Sequence, residues 1–94
     1  MLRIAVVDDE AEQRELIESF LARFACEQRR EIIVDTYCNG FDFLSVFDQR
    51  YDAVFLDIQM PDANGIQVAE EIRAIDQRVK IIFITNLGQY AVQG

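Results

Sequence analysis

The sequence predicts a doubly wound α/β domain built on a parallel sheet, and three observations support this fold class. Four short apolar runs recur along the chain and are continuous, as expected for strands buried on both faces of a parallel sheet. Amphipathic helical patterns separate these runs, so strands and helices alternate. No linker or low-complexity segment divides the chain, which indicates a single unit. The four runs are residues 4–7, 32–34, 53–56 and 81–84.

The first helix is predicted over residues 10–26, where apolar side chains recur at spacings of three and four and form one stripe. The charged residues of this segment, Arg14 among them, fall on the other side of the helix. We interpret the glutamates there as a solvated helix face. The stripe comprises Leu16, Ile17, Phe20, Leu21 and Phe24, and the glutamates are Glu12, Glu15 and Glu18.

Two further helices and the start of a fourth are predicted after the second run. Residues 40–49 carry aromatic and aliphatic side chains at spacings of three, and residues 86–94 resemble the beginning of a helix. Asn64 is a candidate N-cap for the third helix. We interpret the phenylalanines near the second helix as core and helix-packing residues. The apolar positions at this spacing are Phe41, Leu44 and Phe47 in the second helix, and those of the third are Val68, Ala69, Ile72 and Ile75. The phenylalanines interpreted as core residues are Phe41, Phe43 and Phe47.

Length and composition restrict the possible functions. The 94 residues make one small domain, and a hydrophobic content of 51% indicates a packed core. The net charge of −8 argues against binding of nucleic acid or of an anionic membrane by this segment, because either needs a basic surface. We see no secretory leader and no membrane span, and we expect a cytoplasmic location. Cys26 and Cys38 are interpreted as reduced thiols, and their spacing gives no support to a disulfide.

Acidic and hydroxyl side chains follow the predicted strands at their carboxyl ends. Asp8 and Asp9 follow the first run, Asp57 ends the third, and Thr85 follows the fourth. Open parallel sheets bind ligands beyond these ends, so we expect all four side chains on one rim. A single Asp at a strand end is usually a turn former or a helix cap, but this combination favours a functional site. Lys80, the only lysine, precedes the fourth run and is predicted at the opposite end of the sheet.

This rim predicts phosphoryl chemistry with a divalent cation. Three carboxylates in a small site raise one another's cost of ionising, and Mg²⁺ is a cation that prefers oxygen ligands. We therefore predict a Mg²⁺ site made of Asp8, Asp9, Asp57 and the main-chain carbonyl of Gln59. Asp57 is the candidate nucleophile, because an aspartate can accept a phosphoryl group as an acyl phosphate. Thr85 is predicted to donate a hydrogen bond to the phosphoryl oxygens.

Together these residues resemble the receiver domain of two-component response regulators. The resemblance rests on the acid pair, the run 56–61 around Asp57, Asn64-Gly65 and Thr85, and it covers essentially the whole chain. Residues 84–94 resemble more narrowly the receivers of the LytTR class, which usually precede a DNA-binding domain.

The resemblance implies a flavodoxin-like fold and a specific set of partners. A sensor histidine kinase would phosphorylate Asp57, and Asp8, Asp9 and the Gln59 carbonyl would hold Mg²⁺. Thr85 would be the switch hydroxyl. The implied output is regulation of transcription through a C-terminal DNA-binding domain that this chain does not include. The domain would be a phospho-acceptor with autodephosphorylation and not an enzyme in the ordinary sense.

Receivers normally continue through a fourth helix, a fifth strand and a fifth helix, and the fifth strand ends in a lysine that contacts the phosphoryl group. We therefore expect residues 1–94 to be a receiver domain that is truncated at its C-terminus. Lys80 cannot replace that lysine from the opposite end of the sheet. Residues 81–84 would form an exposed apolar edge, so we expect the fragment to self-associate.

Other functions fit the sequence less well. An aspartyl-phosphate phosphatase needs a second acid two residues after the nucleophile, where this chain has Gln59. A nucleotide or flavin binder needs a Gly-rich or Ser/Thr-rich phosphate loop where residues 8–10 are acidic. A calcium loop around residues 62–65 would place Met60 at its first ligand position. A receiver-like interaction or dimerisation module without phosphorylation remains the alternative, and magnesium binding distinguishes the two.

Overall fold

A computed structural model describes residues 1–59 and 64–84, which form three layers with a parallel sheet in the middle. One helix covers one face of the sheet and two helices cover the other. The strands and helices alternate along the chain, as the sequence predicts. In order they are β1 (Leu2–Val7), α1 (Ala11–Gln28), β2 (Ile32–Tyr37), α2 (Gly40–Val46), β3 (Ala53–Asp57), α3 (Gly65–Ile75) and β4 (Lys80–Ile84).

All described strand pairs are parallel, and the strand order is β2-β1-β3-β4. This arrangement confirms the predicted α/β fold class. β1 lies in the interior of the sheet between β2 and β3, and its last residue, Val7, pairs with Leu56 of β3. The residues that follow, Asp8 and Asp57, therefore leave the sheet side by side at its carboxyl end.

The interior and the edge of the described sheet differ in burial. The side chains of β1 from Ile4 to Val7 are buried, because helices cover both faces and strands lie on both sides. The prediction of burial on both faces is wrong for β4, where Ile82 and Phe83 are 39% and 45% exposed. Among the described residues β4 pairs with β3 alone, so its outer edge and part of both faces lack neighbours.

The core is divided by the sheet into a large cluster under α2 and α3 and a small one under α1. On α1 the predicted apolar stripe is wider than the face that is buried. Leu21 is buried in the small cluster and Ile17 packs against it, whereas Phe20 and Phe24 remain 58% and 41% exposed. The helix touches β1 and β2, and the outer part of the stripe has no described layer to pack against.

Helix caps define where α2 and α3 begin. The side-chain oxygens of Asn39 and Asn64 each accept a main-chain N–H of the first turn at 2.8 Å, which confirms Asn64 as an N-cap. Helix α2 ends at Val46, three residues before the predicted end. The predicted apolar positions are mostly buried, but Phe41 and Ile75 are 64% and 45% exposed. The positions that do face the core are Phe43, Phe47, Val68, Ala69 and Ile72.

Several predictions concern segments outside the described residues. These are Thr85, the fourth helix over 86–94, and the turn at Met60-Pro61. Both cysteines are exposed and carry free thiols. Within the described part of the chain, no helix combines the length and the apolar character that crossing a membrane requires.

Candidate functional site

The pairing of β1 with β3 creates a cluster of three carboxylates at the carboxyl end of the sheet. Oxygen atoms of Asp8, Asp9 and Asp57 all lie within 4.8 Å of one another. Asp8 is 1% exposed and Asp57 6% exposed, whereas Asp9 lies at the surface. The structure thus brings together three of the four rim residues that the sequence singled out, and the fourth, Thr85, is outside the described residues.

Asp8 is fixed through nearly all of its polar atoms. Its main-chain N–H donates to the carbonyl of Tyr37 at 3.0 Å, and its Oδ1 accepts the N–H of Glu10 at 2.9 Å. Its main-chain carbonyl accepts the Nη1–H of Arg14 at 2.7 Å. Among the described residues, Oδ2 is buried without a hydrogen-bond partner. A buried carboxylate oxygen without a partner is costly, so this atom is positioned for a ligand that the described residues do not supply.

Burial and like charge make ionisation of the cluster unfavourable. Burial, with the negative charge of Asp8 as the second cause, raises the pKa of Asp57 to about 6. Burial also raises the pKa of Asp8, although the hydrogen bond from the Glu10 N–H opposes the shift. Negative charges at this site therefore repel one another at close range. A cation bound between them would relieve this repulsion.

The start of α3 lies very close to the main chain at the end of β3. The main-chain N–H of Gln59 donates to Asp57 Oδ1 at 3.3 Å, and the N–H of Gly65 donates to the Ile58 carbonyl at 2.9 Å. A Cβ atom at Gly65 would overlap the main-chain oxygen of Asp57, far inside the 3.0 Å that real Cβ atoms keep. Glycine is required at this position because the start of α3 lies directly against the main chain of Asp57.

Arg14 is a residue near the site whose role the sequence pattern did not reveal. The pattern placed it on the charged side of α1, away from the core. In the structure its guanidinium reaches back to the end of β1 and donates to the Asp8 carbonyl. Helical side chains point toward the helix N-terminus, and this direction is the signal that could have found it. Lys80 lies at the opposite end of the sheet as predicted, since it is the first residue of β4.

A second polar cluster lies toward the amino ends of β1 and β3. Asp35 of β2 accepts hydrogen bonds from Arg3 Nε at 3.1 Å and from the Tyr51 hydroxyl at 2.7 Å. The Tyr51 hydroxyl lies 3.2 Å from that of Tyr37, and the Arg3 guanidinium stands 5.0 Å from the centroid of the Tyr51 ring. In this cluster an arginine and two tyrosines surround one carboxylate, so its charge is compensated within the fold.

Comparison with protein families gives one match that covers nearly all of the chain. The family model of the response regulator receiver domain matches residues 4–93. Among curated proteins, the sensory transduction protein LytT of Bacillus cereus is 36% identical over 93 residues, which are 99% of this chain and 37% of that protein. The transcriptional regulatory protein YpdB of Escherichia coli is 34% identical over 98% of this chain and 36% of its own length. The chain thus spans little more than a third of these relatives.

Solved structures of response regulators are also similar to this chain. The response regulator TrrA of Thermotoga maritima, in complex with Mg²⁺-BeF, has a TM-score of 0.76 and 41% sequence identity over 98% of this chain and 76% of that one. A structure of the histidine kinase ThkA in complex with TrrA matches with a TM-score of 0.74 and 42% identity, over 96% of this chain and 73% of that one.

Proposed function

This chain belongs to the response regulator receiver domain family, and from that premise we propose that it is the phospho-acceptor of a two-component system, with Asp57 as the phosphorylated residue. The family resemblance read from the sequence is confirmed, and the LytT relatives agree with the narrower resemblance to the LytTR class. We propose that residues 1–94 act as one receiver domain and that the domain is a switch in the cytoplasm, not an enzyme in the ordinary sense.

One observation carries this proposal. Asp57 is buried at the end of an interior strand, beside two other carboxylates and with a pKa raised to about 6. Such an arrangement costs stability and gains nothing in packing. Perturbed carboxylates in clusters of this kind are typical of functional sites.

The described residues fit a magnesium ion. Asp8, Asp9 and Asp57 offer only oxygen donors, and the unpartnered Asp8 Oδ2 provides a ligand atom that is already fixed in place. We propose that these residues, with the main-chain carbonyl of Gln59, hold Mg²⁺. When bound, Mg²⁺ neutralises charge on the transferring phosphoryl group.

The proposed reaction is a single displacement at phosphorus. A carboxylate oxygen of Asp57 forms a bond to the phosphorus of a phosphohistidine, the P–N bond breaks, and the imidazole nitrogen keeps the electron pair. The Gln59 N–H, which donates to Asp57 Oδ1, helps to hold the carboxylate in one orientation. We propose that the Thr85 hydroxyl, outside the described residues, donates to a phosphoryl oxygen in the product.

The proposed partners are a sensor histidine kinase and an output region. The complex of ThkA with TrrA supports a kinase as the phosphoryl donor. The names of the relatives LytT and YpdB support signal-dependent regulation of transcription as the output. With a charge of −8 this segment is a poor ligand for DNA, so DNA contact would belong to a separate C-terminal domain.

Phosphorylation of the chain tests the proposal directly. The protein is incubated with Mg²⁺ and a small-molecule phosphodonor, and incorporation is followed by intact mass spectrometry. We expect one phosphoryl group on the wild type and none on Asp57→Asn. Asp52→Asn is the matched control, since Asp52 is an exposed aspartate at the other end of β3 and should leave labelling unchanged.

Equal labelling of wild type and Asp57→Asn would refute the assignment of Asp57. A wild type that neither binds Mg²⁺ in calorimetry nor takes up a phosphoryl group would favour the alternative, a receiver-like interaction or dimerisation module. The exposed Ile82 and Phe83 on the edge strand are the specific observation in favour of that alternative.

We also propose that the chain self-associates through β4. Its outer edge is unpaired among the described residues, and it carries exposed apolar side chains on both faces. Light scattering after size exclusion is expected to find a dimer or larger species for the wild type and a monomer for Ile82→Lys. Ile33→Lys, on the opposite edge strand β2, is the control that should stay associated. A monomeric wild type at high concentration would contradict the proposal.

A further inference from the structure

Arg14 is the basic side chain that reaches the acidic cluster in the described part of the chain, and it does so in an unusual way. Its Nη1–H donates to the main-chain carbonyl of Asp8 at 2.7 Å, next to three carboxylates that are stronger acceptors. Its own main-chain N–H is bonded to the Glu10 carbonyl at 3.1 Å, so the first turn of α1 fixes the origin of the side chain. The guanidinium therefore supports the Asp8 main chain and leaves Asp8 Oδ2 unbonded.

In the described part of the chain, the hydrogen bonds of Asp8 combine main-chain partners with one side-chain donor, Arg14. The main-chain N–H of Asp8 is held by β2, and its Oδ1 is held by the main chain of Glu10. The bond from Arg14 fixes the remaining main-chain atom at the junction of β1 and α1. With these three bonds made, Oδ2 is left buried and without a hydrogen-bond partner among the described residues. Residues that orient a metal ligand in this way commonly change metal affinity when they are mutated.

We propose that Arg14 is a positioning residue for the magnesium site, which fixes the Asp8 carboxylate by anchoring its main-chain carbonyl. This inference rests on the proposed magnesium site.

The charge of Arg14 and its hydrogen bond act on Mg²⁺ binding with opposite signs. A guanidinium close to the site repels Mg²⁺, so removing the charge alone would tighten binding. Removing the hydrogen bond frees the Asp8 main chain and weakens binding, because the ligand must then be ordered when the metal binds. The sign of the measured change therefore shows which of the two effects is larger.

The test is calorimetric titration of the whole chain with Mg²⁺. We expect Arg14→Met to bind Mg²⁺ on the order of tenfold more weakly than the wild type, as for other residues that orient metal ligands. Arg14→Lys keeps a charged donor and should recover most of the affinity. Because the effect is geometric, the ratio between wild type and Arg14→Met should persist at high ionic strength, where charge effects are screened. Arg23→Met, an exposed arginine of the same helix, is the matched control and should bind like the wild type.

Several outcomes would overturn the inference. They are an Arg14→Met variant that binds Mg²⁺ as tightly as the wild type or more tightly, an equal loss in Arg23→Met, and no recovery in Arg14→Lys. Circular dichroism of the metal-free proteins verifies that each variant is folded. If Arg14→Met is unfolded, Arg14→Gln replaces it, with weaker binding again expected. A wild type that does not bind Mg²⁺ at all would instead refute the proposed magnesium site itself, so the two failures are distinguishable.

Discussion

Asp35 and Asp57 lie in the same small sheet, but their surroundings are opposite in character. Asp35 accepts hydrogen bonds from Arg3 and from the hydroxyl of Tyr51, so its charge is shared with donors that the fold supplies. Asp57 lies beside two other carboxylates, and the N–H of Gln59 is a weak donor by comparison. The fold therefore surrounds the structural carboxylate, Asp35, with donors. It leaves Asp57, the carboxylate that we propose to be phosphorylated, among other negative charges.

In the Asp35 cluster, buried polar atoms have hydrogen-bond partners within the fold. Tyr51 is 5% exposed, and burial, with the hydrogen bonds to Tyr37 and Asp35, raises the pKa of its hydroxyl. The phenol therefore stays protonated and acts as a permanent donor to Asp35. At the acidic cluster the described residues offer no comparable donor to Asp8 Oδ2.

The largest expected effect comes from the glycine that lets α3 approach Asp57. In Gly65→Ala the added Cβ would overlap the Asp57 carbonyl, so either the strand end or the helix must move. We expect a loss of about 3 kcal/mol or more in the free energy of unfolding, measured by urea denaturation. Gln67→Ala, an exposed position of the same helix, should change it little. A fully stable Gly65→Ala would mean that the close approach carries no constraint.

Removing the carboxylate of Asp35 should destabilise the protein. Asp35→Ala leaves the Tyr51 hydroxyl without its carboxylate acceptor in a largely buried position. We expect a loss of about 2 kcal/mol in unfolding free energy at pH 7.5. Asp48→Ala is the control, since the described partners of the Asp48 carboxylate are the main-chain N–H and the guanidinium of Arg50, and surface ion pairs contribute little. A loss no greater than that of the control would contradict the structural role of Asp35.

Removing the charge of Asp57 should instead increase the free energy of unfolding. Asp57→Asn is nearly isosteric and cannot ionise, so it relieves the repulsion from Asp8 and Asp9. Without Mg²⁺ at pH 7.5, we expect the variant to be more stable than the wild type by about 1–2 kcal/mol. With saturating Mg²⁺ the wild type should regain much of the difference, because a ligand that binds only the native state stabilises it. A destabilised metal-free variant would show that Asp57 resembles Asp35 after all.

The pH dependence of stability should also show that Asp57 is buried without compensating donors, although the change per pH unit is smaller than the effects of the substitutions. The folded-state pKa of Asp57 is raised from 3.8 to about 6, so the folded form binds its proton more tightly than the unfolded chain does. Metal-free stability should therefore fall as pH rises from about 4 through about 6, and the fall should be smaller in Asp57→Asn. Thermal melts across this range measure it. A flat wild-type profile would argue against burial of an ionisable Asp57.

Much of this arrangement can be predicted from the sequence, because each prediction follows from a local rule. Continuous apolar runs predict parallel strands, and the carboxyl ends of parallel strands share one side of a sheet, so Asp8, Asp9 and Asp57 converge. Asn64 is recognisable as a cap because its short side chain can bond the first helical N–H groups.

The features that sequence reasoning missed depend on neighbours that a local pattern does not contain. Periodicity shows that Phe20 and Phe24 share a side of α1, but the width of the buried strip depends on which strands lie beneath the helix. For the same reason Phe41 is exposed while Phe43 is in the core. The role of Arg14 depends on a contact between a helix side chain and the end of the preceding strand, which no periodicity encodes.

The interior position of β1 determines when the acidic cluster can form during folding. β1 is the first strand of the chain, yet its pairing with β3 joins Ile4 to Ala53 across an intervening helix, strand and second helix. Closing a loop of this length costs chain entropy before the contacts repay it. Asp8 and Asp57 remain far apart until that closure, so their repulsion does not hinder early collapse. We expect this repulsion to oppose the docking of β3 onto β1 instead.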